Sequence, residues 1–472
     1  MVKPLKIAPV VFLLLVTTFF SIYKLSESPR TWMDEGIITQ VSKNVAEYGK
    51  HALQVAPERF VSAGIVSTGF PVTFPIALSF KFFGTGLLQA RIVMVIFILL
   101  LISTVFFYLK RLYGMKVGFW GTLLVATFSP LYGNGKNVLG EVPGLFFFFA
   151  MLLFIDKAIH DKEKISNYIL AGLFTGLAFS TKSIFILLLP ALLVASLWHF
   201  YRGGINFDKY YLYSFISFIA VFFLWIYIQF SNDSISKILL IYANPYYISV
   251  IDSIKNNLLL FIGRPEPIYF LGTLLIWIVS YFYRIKKAVP INFSESLALM
   301  FSILIFLAFF RTPGYFRYFF LAQFISLVYL LPSLNSLFSH TKLSKFILWG
   351  IGILIVFHIY MTSFHSWVAS HYRGTRSHDI SILANEISDD GKILFYQVPE
   401  FIIFLKNNNY HQFIDITALI KVGEENKALV ENGYFDKIVI NDSVYDKNDS
   451  MFKYYGRVGG LDHYIILKKN KL

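Results

Sequence analysis

Runs of apolar residues close to twenty residues long recur along this chain, and they limit what it can fold into. A helix needs roughly twenty such residues to cross about 30 Å of hydrocarbon. Hydrophobic residues make up 56% of the 472 residues and charged residues 15%, so a soluble globule could not cover the apolar surface. We predict an all-α polytopic membrane protein with about eleven transmembrane helices. The predicted spans lie near 7–23, 88–109, 117–133, 142–158, 166–180, 183–201, 210–230, 267–283, 294–310, 317–338 and 346–366.

The basic residues set the expected orientation of these spans. The chain has 42 Lys and Arg against 28 Asp and Glu, a formal charge of +14 that by itself suggests a nucleic-acid partner. With the N-terminus inside, however, the basic residues gather in alternate connections, as the positive-inside rule requires of cytoplasmic loops. We therefore expect an N-inside protein that contacts membrane lipids and no nucleic acid. The residues concerned are Lys3 and Lys6, then Lys110, Arg111 and Lys116, then Lys157, Lys162 and Lys164, then Arg202 and Lys209, then Arg284, Lys286 and Lys287, then Lys342 and Lys345.

The connection 24–87 is the first segment expected outside the membrane. The run before it is interpreted as a retained helix, because SIYKLSESPRT offers no small-x-small cleavage site. The connection begins with two adjacent carboxylates, Asp34 and Glu35, in TWMDEGIITQ. Apolar residues at helical spacing follow them and predict an interfacial helix, and two later prolines in an aromatic run predict a second half-submerged element. We expect the acidic pair to be held at the outer face of the bilayer.

A third acid, Glu141, precedes a very apolar span on the same predicted face. The surrounding LYGNGKNVLGEVPGLFFFF is rich in glycine but contains neither GK[ST] nor GxGxxG, which excludes a phosphate-binding loop of those types. Glu141 could belong to a site, or it could favour the helix dipole at the start of its span, with Pro143 in the first turn. Both interpretations stay open from the residues alone.

Cations occur at ends of apolar helices where an anionic ligand could bind. Lys182 interrupts LAFSTKSIFILLLP, Arg264 begins a span in FIGRPEPIYF, and Arg317 lies in FFRTPGYFRYFFLAQ. A cation in such a run costs a few kcal/mol unless it pairs or faces a polar cavity. Each one alone could extend to the interface, but several at one face favour an anion site, since the arginine fork suits phosphate. The predicted ligand-binding residues are Lys182, Arg264, Arg317 and Tyr318.

The composition changes after about residue 373, where Asn, Asp and Lys replace the runs of Phe and Leu. SILANEI and PEFIIFLKN are typical of helices, and KILFYQ, DKIVIN and HYIILKK of strands. We therefore predict a transmembrane domain over 1–366 and a small soluble α/β domain over 373–472. The second domain lies outside the membrane on the same side as Asp34 if the number of spans is odd, and nothing in it indicates catalysis.

The residues indicate no cofactor. The chain has no Cys, which excludes a thiolate metal site and a Cys nucleophile. His365, His371 and His378 miss the i, i+4 spacing of a helical metal site. Three acids at one face could still hold a divalent ion through oxygen ligands, so we predict no metal and keep this alternative open.

Several short motifs together resemble a known family. MDEG after the first span, GFPVTFPIALSFKFFG, EVPGLFFFF, GLAFSTKSIFILLLPALL and FRYFFL are similar in order, spacing and sidedness to motifs of membrane glycosyltransferases with the GT-C fold. The branch concerned contains the dolichyl-phosphate-mannose protein mannosyltransferases and the bacterial aminoarabinose lipid A transferases. The resemblance covers roughly residues 1–365. The chain departs from it at Gly69 and Phe70, where the family usually has His or Lys before two prolines.

This resemblance implies an inverting transferase that moves a sugar from a polyprenyl-phosphate donor to a protein, glycan or lipid acceptor at the outer membrane face. It places Asp34 as the general base, because a hydroxyl nucleophile must lose its proton as the new bond forms. Glu35 and Glu141 would orient acceptor or sugar hydroxyls. Cations would stabilise the departing lipid phosphate. Those cations are Lys182, Arg264 and Arg317, the last by its match to the RY of the family pattern.

Other classes of function are compatible with so apolar a chain. A transporter or flippase of lipid-linked saccharides would also be polytopic, but transporters tend to place ionisable residues near the middle of the membrane at repeat interfaces. In this chain the acids fall at helix ends, and the two halves show no repeat. A scaffold or receptor would not need the acids together. The sugar, the acceptor, the length of the lipid carrier and the oligomeric state are not encoded in any recognisable motif.

Overall fold

The structure is a computed structural model of the 472-residue chain. It describes residues 8–161, 163–202, 210–230, 233, 249–312, 314–339, 341–387, 391–417, 420–461 and 463–470. Four of the basic residues used for the orientation, Lys3, Lys6, Lys162 and Lys209, lie outside this part of the chain. Up to residue 370 the helices are α1 Ala8–Ile22, α2 Met33–Tyr48, α3 Phe70–Phe83, α4 Leu87–Ala126, α5 Ser129–Gly135, α6 Glu141–His160, α7 Ile165–Thr181, α8 Leu188–Tyr201, α9 Tyr211–Phe230, α10 Val250–Ile262, α11 Pro265–Lys286, α12 Phe293–Phe309, α13 Phe316–Val328, α14 Leu330–Phe338, α15 Ile347–Tyr360 and α16 Trp367–Ser370.

Apolar helices dominate this part of the chain, which confirms the predicted polytopic all-α fold. Within the described residues, seven helices are long and apolar enough to cross a membrane, and four shorter apolar helices of 10–17 residues accompany them. The predicted count of about eleven spans and the N-inside orientation stay predictions. The seven are Leu87–Ala126, Glu141–His160, Ser183–Tyr201, Tyr211–Phe230, Glu266–Lys286, Phe316–Phe338 and Ile347–Ser370, and the four are Ala8–Ile22, Phe70–Phe83, Ile165–Thr181 and Phe293–Phe309.

The long helix α4 reverses direction at Gly114, where φ is 85° and ψ is 173°. A Cβ on Gly118 would lie 2.9 Å from Cβ of Lys110, so the segments before and after Gly114 lie side by side. A left-handed φ is easy for glycine and costly for other residues. The loop predicted between the second and third spans is therefore a single tight turn. The third span was predicted too long, because its helix ends at Ala126 and α5 is a separate short helix that begins at Ser129.

The expected break between the fifth and sixth spans is present at Lys182. The backbone there is extended, with φ −154° and ψ 142°, and separates α7 from the 3₁₀ helix Ser183–Leu187 that leads into α8. Thr68 and Lys182 form an antiparallel bridge, in which Gly69 donates to the carbonyl of Thr181 at 3.0 Å. Before this bridge, β1 (Ala52–Ala56) and β2 (Arg59–Ser62) form an antiparallel hairpin. The chain between β2 and α3 is held by the bridge against the end of α7.

The chain beyond residue 375 forms the predicted α/β domain, with more strands than the sequence indicated. Its sheet has the order β5-β4-β3-β6-β8-β7, in which β3 is parallel to β4 and β6 and the other pairs are antiparallel. The predicted helix at PEFIIFLKN is a 3₁₀ helix, Pro399–Phe404. The elements are α17 Arg376–Ile387, β3 Ile393–Tyr396, β4 His411–Thr417, β5 Ile420–Val422, α18 Glu425–Glu431, β6 Lys437–Asn441, β7 Tyr455–Leu461 and β8 Tyr464–Lys469.

Helix α2 differs from the predicted interfacial helix. Residues 35–44 are buried without interruption, the polar ones together with the apolar ones. Its apolar side packs into the transmembrane core, where Ile37 and Val41 are 4% and 0% exposed, and its polar side is covered by the C-terminal domain. Neither face of α2 is therefore available to lipid. An interfacial helix and a helix buried on both faces show the same spacing of apolar residues along the sequence. The two differ only in whether water or another part of the protein covers the polar face.

Candidate functional site

The first turns of α2 and α13 meet at one end of the helix bundle, where Asp34 and Arg317 form an ion pair. Nη1 of Arg317 donates a hydrogen bond to Oδ2 of Asp34 at 2.5 Å. The Asp34 side chain is 32% exposed and that of Arg317 is 18% exposed, so the pair lies at a partly open surface. Nη2 of Arg317 donates to the hydroxyl of Tyr318 at 3.1 Å. The structure thus joins three of the residues predicted for the site.

Aromatic rings surround the guanidinium of Arg317. Its central carbon lies 4.6 Å from the ring centroid of Trp32, 5.0 Å from that of Tyr318 and 5.5 Å from that of Tyr315. Each separation is within the range in which a cation is attracted to the face of an aromatic ring. Trp32 immediately precedes α2, so the same turn of chain supplies Asp34 and the ring against Arg317.

A second pair, Glu141 and Lys182, lies deeper in the protein. Nζ of Lys182 donates to Oε1 of Glu141, and the two side chains are 5% and 1% exposed. Oε2 of Glu141 has no hydrogen-bond partner among the described residues. Glu141 also contributes to the electrostatic environment of Arg317, which places the two ion pairs near each other. A buried carboxylate with one unpaired oxygen is costly and is often found at functional sites.

Local backbone packing explains why Lys182 reaches this position. The extended backbone at Lys182 is fixed by its bridge to Thr68. Gly140, the residue before Glu141, lies against it, since a Cβ there would be 2.9 Å from both Cβ of Lys182 and the carbonyl oxygen of Thr181. Lys182 thereby lies beside the Thr68–Gly69 segment that leads into α3.

Glu35 does not face the same space as Asp34. It is fully buried, and its carboxylate accepts two hydrogen bonds from Arg91, at 2.9 Å from Nε and 2.7 Å from Nη2. Oε1 also accepts from the backbone N–H of Val138 at 3.1 Å. A direct contact of Glu35 with an acceptor hydroxyl, as the resemblance implied, does not follow from this geometry. Glu35 instead connects α2 to α4 and to the segment before α6.

Arg264 lies at the exposed edge of this region. Its guanidinium carbon is 5.2 Å from the ring centroid of Phe316, the residue before Arg317. It immediately precedes α11. The structure therefore brings Asp34, Glu141, Lys182 and Arg317 to one end of the bundle and leaves Arg264 as a neighbour that contacts the site through Phe316.

Sequence reasoning missed several residues that build the site. Arg91 is 0% exposed, and its Nη1 also donates to the carbonyl of Leu25 at 2.6 Å. Lys136 is also 0% exposed and donates to the carbonyl of Tyr23 at 2.7 Å; burial, aided by the charge of Arg91, lowers the pKa of Lys136 to about 7. A lone arginine inside the apolar run LLQARIVMVIF was the available signal for Arg91.

The described residues contain no group of three or more His, Asp or Glu side chains arranged to hold a metal ion. Asp34 and Glu141 each already contact a cation, and Glu35 is enclosed by Arg91. The expectation that the protein needs no metal stays a prediction. The charges present can instead do two things in one small region: accept a proton at a partly exposed carboxylate, and attract an anion with fixed cations.

Comparison with known proteins points to one class of enzyme. Residues 69–227 match the family model described as dolichyl-phosphate-mannose-protein mannosyltransferase. No curated protein matches the chain by sequence. The matched segment contains Glu141 and Lys182, whereas Asp34 and Arg317 lie outside it.

Solved structures share the fold along nearly the whole chain. ArnT from Cupriavidus metallidurans in the apo state matches with a TM-score of 0.63 at 14% identity, covering 99% of this chain and 98% of ArnT. The same protein bound to undecaprenyl phosphate gives 0.63 at 13% identity, with 98% of each chain covered. The Archaeoglobus fulgidus oligosaccharyltransferase tethered to an acceptor peptide gives 0.56 at 11% identity, covering 97% of this chain and 72% of that one. The chain has the GT-C fold, as its motifs predicted, and the family match and the fold together indicate a glycosyltransferase.

Proposed function

We propose that this chain transfers a sugar with inversion from a polyprenyl-phosphate donor to a hydroxyl group of a protein, glycan or lipid acceptor. The chain has the GT-C fold and matches the dolichyl-phosphate-mannose-protein mannosyltransferase family over residues 69–227. The observation that carries the proposal is the meeting of two carboxylate and cation pairs, Asp34 with Arg317 and Glu141 with Lys182, at one end of an apolar bundle. The reaction takes place at the outer membrane face, where the positive-inside pattern puts this end.

Asp34 is the general base of the proposed reaction. It is the most exposed of the three acids predicted for the site, since Glu35 and Glu141 are 0% and 1% exposed. The acceptor proton passes to the Asp34 carboxylate while the acceptor atom bonds to the anomeric carbon. The bond from that carbon to the phosphate oxygen breaks on the opposite side, and both of its electrons leave with the lipid phosphate.

Arg317 and Lys182 receive the departing phosphate, which gains one negative charge as the bond breaks. Fixed cations already in place stabilise such developing charge without reorganisation. Glu141 keeps the buried ammonium of Lys182 compensated and leaves its second oxygen for a sugar hydroxyl. Arg264 meets the phosphate at the exposed edge. No metal is required, because the reaction releases a single lipid phosphate between two arginines and a lysine.

The donor class is supported by the neighbours that share the fold. ArnT is known bound to undecaprenyl phosphate, and AglB from Archaeoglobus fulgidus, with a TM-score of 0.54 at 11% identity, was solved with an inhibitory peptide and a dolichol-phosphate. A prenyl tail requires a membrane setting, which the apolar helices provide. The C-terminal domain packs on α2, which supports placing it on the same side of the membrane as Asp34.

The proposal is tested by measuring sugar transfer in lipid nanodiscs. Purified wild-type protein is incubated with radiolabelled undecaprenyl- and dolichyl-phosphate sugars and with cell-envelope extract as acceptor. Asp34→Asn is compared with Asp161→Asn, which changes an exposed acid beyond the other end of α6. We expect transfer by wild type and Asp161→Asn, and a loss of about 10²- to 10⁴-fold in Asp34→Asn with an unchanged thermal melt.

Two outcomes would contradict the proposal in different ways. Equal transfer by wild type and Asp34→Asn would remove Asp34 as the base while keeping the enzyme class. Movement of a labelled donor between the two leaflets, without covalent transfer to any acceptor, would instead favour the flippase.

A further inference from the structure

The C-terminal domain contacts α2 at Gly36, two residues after the proposed base. A Cβ on Gly36 would lie 2.4 Å from the backbone nitrogen of Glu400 and 2.6 Å from the carbonyl carbon of Pro399. Atoms this close cannot coexist, and because the neighbours are backbone, no side chain can rotate away. Only glycine lets the 3₁₀ helix Pro399–Phe404 lie directly against the start of α2.

Further along α2, polar contacts continue the same interface. Nε2 of Gln40 donates to the hydroxyl of Tyr410 at 2.7 Å, and Oε1 of Gln40 accepts from Gln412 at 2.9 Å. Nδ2 of Asn408 donates to Glu47 at 2.6 Å. The C-terminal domain therefore holds α2 from its first turn to its last turn.

The element that meets Gly36 is itself fixed within the C-terminal domain. Glu400 is 3% exposed, and its Oε1 accepts a hydrogen bond from the hydroxyl of Tyr464 at 2.7 Å. Nη2 of Arg376 donates to the same hydroxyl at 2.6 Å and lies 3.6 Å from Oε1 of Glu400. These contacts tie Pro399–Phe404 to α17 and β8. The position of α2 is thus set by the body of the domain and not by a free loop.

We infer that Gly36 is a positioning residue through which the C-terminal domain fixes Asp34 relative to Arg317. The inference rests on the proposed function for the role of Asp34. Gly36 lies two residues after Asp34 in the same helical turn, so a shift of α2 away from Pro399 moves the Asp34 carboxylate directly. Displacement of a catalytic group by about 1 Å can lower the rate by about 100-fold. The C-terminal domain is then a part of the catalytic unit and not only a cap.

The test combines kinetics with hydrogen exchange, so that one readout does not depend on activity. Gly36→Ala is compared with Gly272→Ala, a helical glycine in α11 whose added Cβ meets nothing within 4 Å. We expect Gly36→Ala to lower kcat about 10- to 100-fold with little change in KM for the donor. Amide exchange over residues 33–48 should rise in Gly36→Ala and stay at the wild-type level in Gly272→Ala.

A double variant separates positioning from general damage. In an Asp34→Asn background, Gly36→Ala should cause no further loss of residual transfer, because the group that it displaces is already inactive. A loss of the same size in both backgrounds would show a structural effect and overturn the inference. If Gly36→Ala does not fold, Tyr410→Phe removes one acceptor of Gln40 from the same interface and should show the same two effects more weakly.

The results distinguish this inference from the proposed function. Wild-type exchange and wild-type kcat in Gly36→Ala would overturn the inference even if Asp34→Asn is inactive. If Gly36→Ala raises amide exchange over residues 33–48 but the wild-type protein transfers no sugar, the result would support the contact between the C-terminal domain and α2. It would reject the proposed function.

Discussion

The guanidinium of Arg91 encloses the carboxylate of Glu35 with two hydrogen bonds, and neither side chain reaches solvent. Adjacent residues in the MDEG motif therefore have different environments: Asp34 faces a partly open surface and Glu35 an interior ion pair. Because the Glu35 carboxylate is enclosed in this way, its contacts connect parts of the protein and leave it no direct access to a substrate. Arg91 links the turn after α1, where Leu25 accepts from it, to α2 and to the segment before α6.

Changing either member of this pair should lower stability more than changing Asp34. Removing one partner leaves a buried charge without compensation, which typically costs about 3–5 kcal/mol. We expect Glu35→Gln and Arg91→Met to lower the melting temperature measured in nanodiscs, whereas Asp34→Asn leaves it unchanged. Glu266→Gln, an exposed acid in the first turn of α11, is the control for the loss of a carboxylate. Melting of Glu35→Gln at the wild-type temperature would show that the pair does not support the fold.

Substitutions of Glu141 and Lys182, which form a buried ion pair, should have strongly non-additive effects on stability. Lys182→Met leaves Glu141 buried without a cation, so we expect both lower stability and weaker donor binding. The double variant Glu141→Gln with Lys182→Met removes both charges. It should recover most of the melting temperature, because no buried charge is left unpaired, but it should not recover transfer. Recovery of transfer in the double variant would remove Lys182 from the phosphate site.

The sequence predicted the helix bundle, and it singled out residues that the structure brings together, but it did not predict the contacts among them. Apolar runs predict spans from length alone, and cations at the ends of such runs predicted Lys182 and Arg317. The opposite orientations of Asp34 and Glu35 could not be predicted, because Arg91 is 56 residues further along the chain. Burial of α2 on both faces was equally hidden, since its polar face is covered by a domain more than 350 residues away.

In the C-terminal domain, too, the sequence predicted only some of the secondary structure, because the rest depends on distant contacts. KILFYQ and DKIVIN are short apolar runs between turn residues, and both form strands of the sheet. HQFIDIT forms β4 although it was not predicted, and PEFIIFLKN gives a 3₁₀ helix instead of an α-helix. Short apolar runs fit a strand or a buried helix about equally well, and the choice depends on pairing with distant strands.

Trp32 should affect donor binding through Arg317 and not through proton transfer. Its ring lies 4.6 Å from the guanidinium carbon, and such contacts contribute about 0.5–2 kcal/mol. We expect Trp32→Leu to raise KM for the donor several-fold with a smaller change in kcat, and Trp32→Phe to have an intermediate effect. The measurement is the dependence of the transfer rate on donor concentration. A fall in kcat at constant KM would mean that Trp32 acts on Asp34, with which it shares a turn of chain.

Lys136 should make the free energy of unfolding depend on pH, and a single substitution at this residue isolates that effect. Burial lowers the pKa of Lys136 from 10.5 to about 7, with the charge of Arg91 acting in the same direction. Between about pH 7 and pH 10.5 the unfolded chain therefore binds more protons at this residue than the folded protein. The contribution of Lys136 to the free energy of unfolding must rise with pH through this window and be constant below it.

The measurement is the melting temperature of wild type and Lys136→Met in nanodiscs at several pH values from 6 to about 9. The difference, wild type minus variant, should be constant up to about pH 7 and then increase, because the wild type sheds its buried charge while the variant has none to lose. Lys81→Met, which removes an exposed lysine from the last turn of α3, should give a flat difference over the same range. A flat difference for Lys136→Met as well would mean that the Lys136 ammonium keeps its proton despite burial, with the carbonyl of Tyr23 as its acceptor throughout.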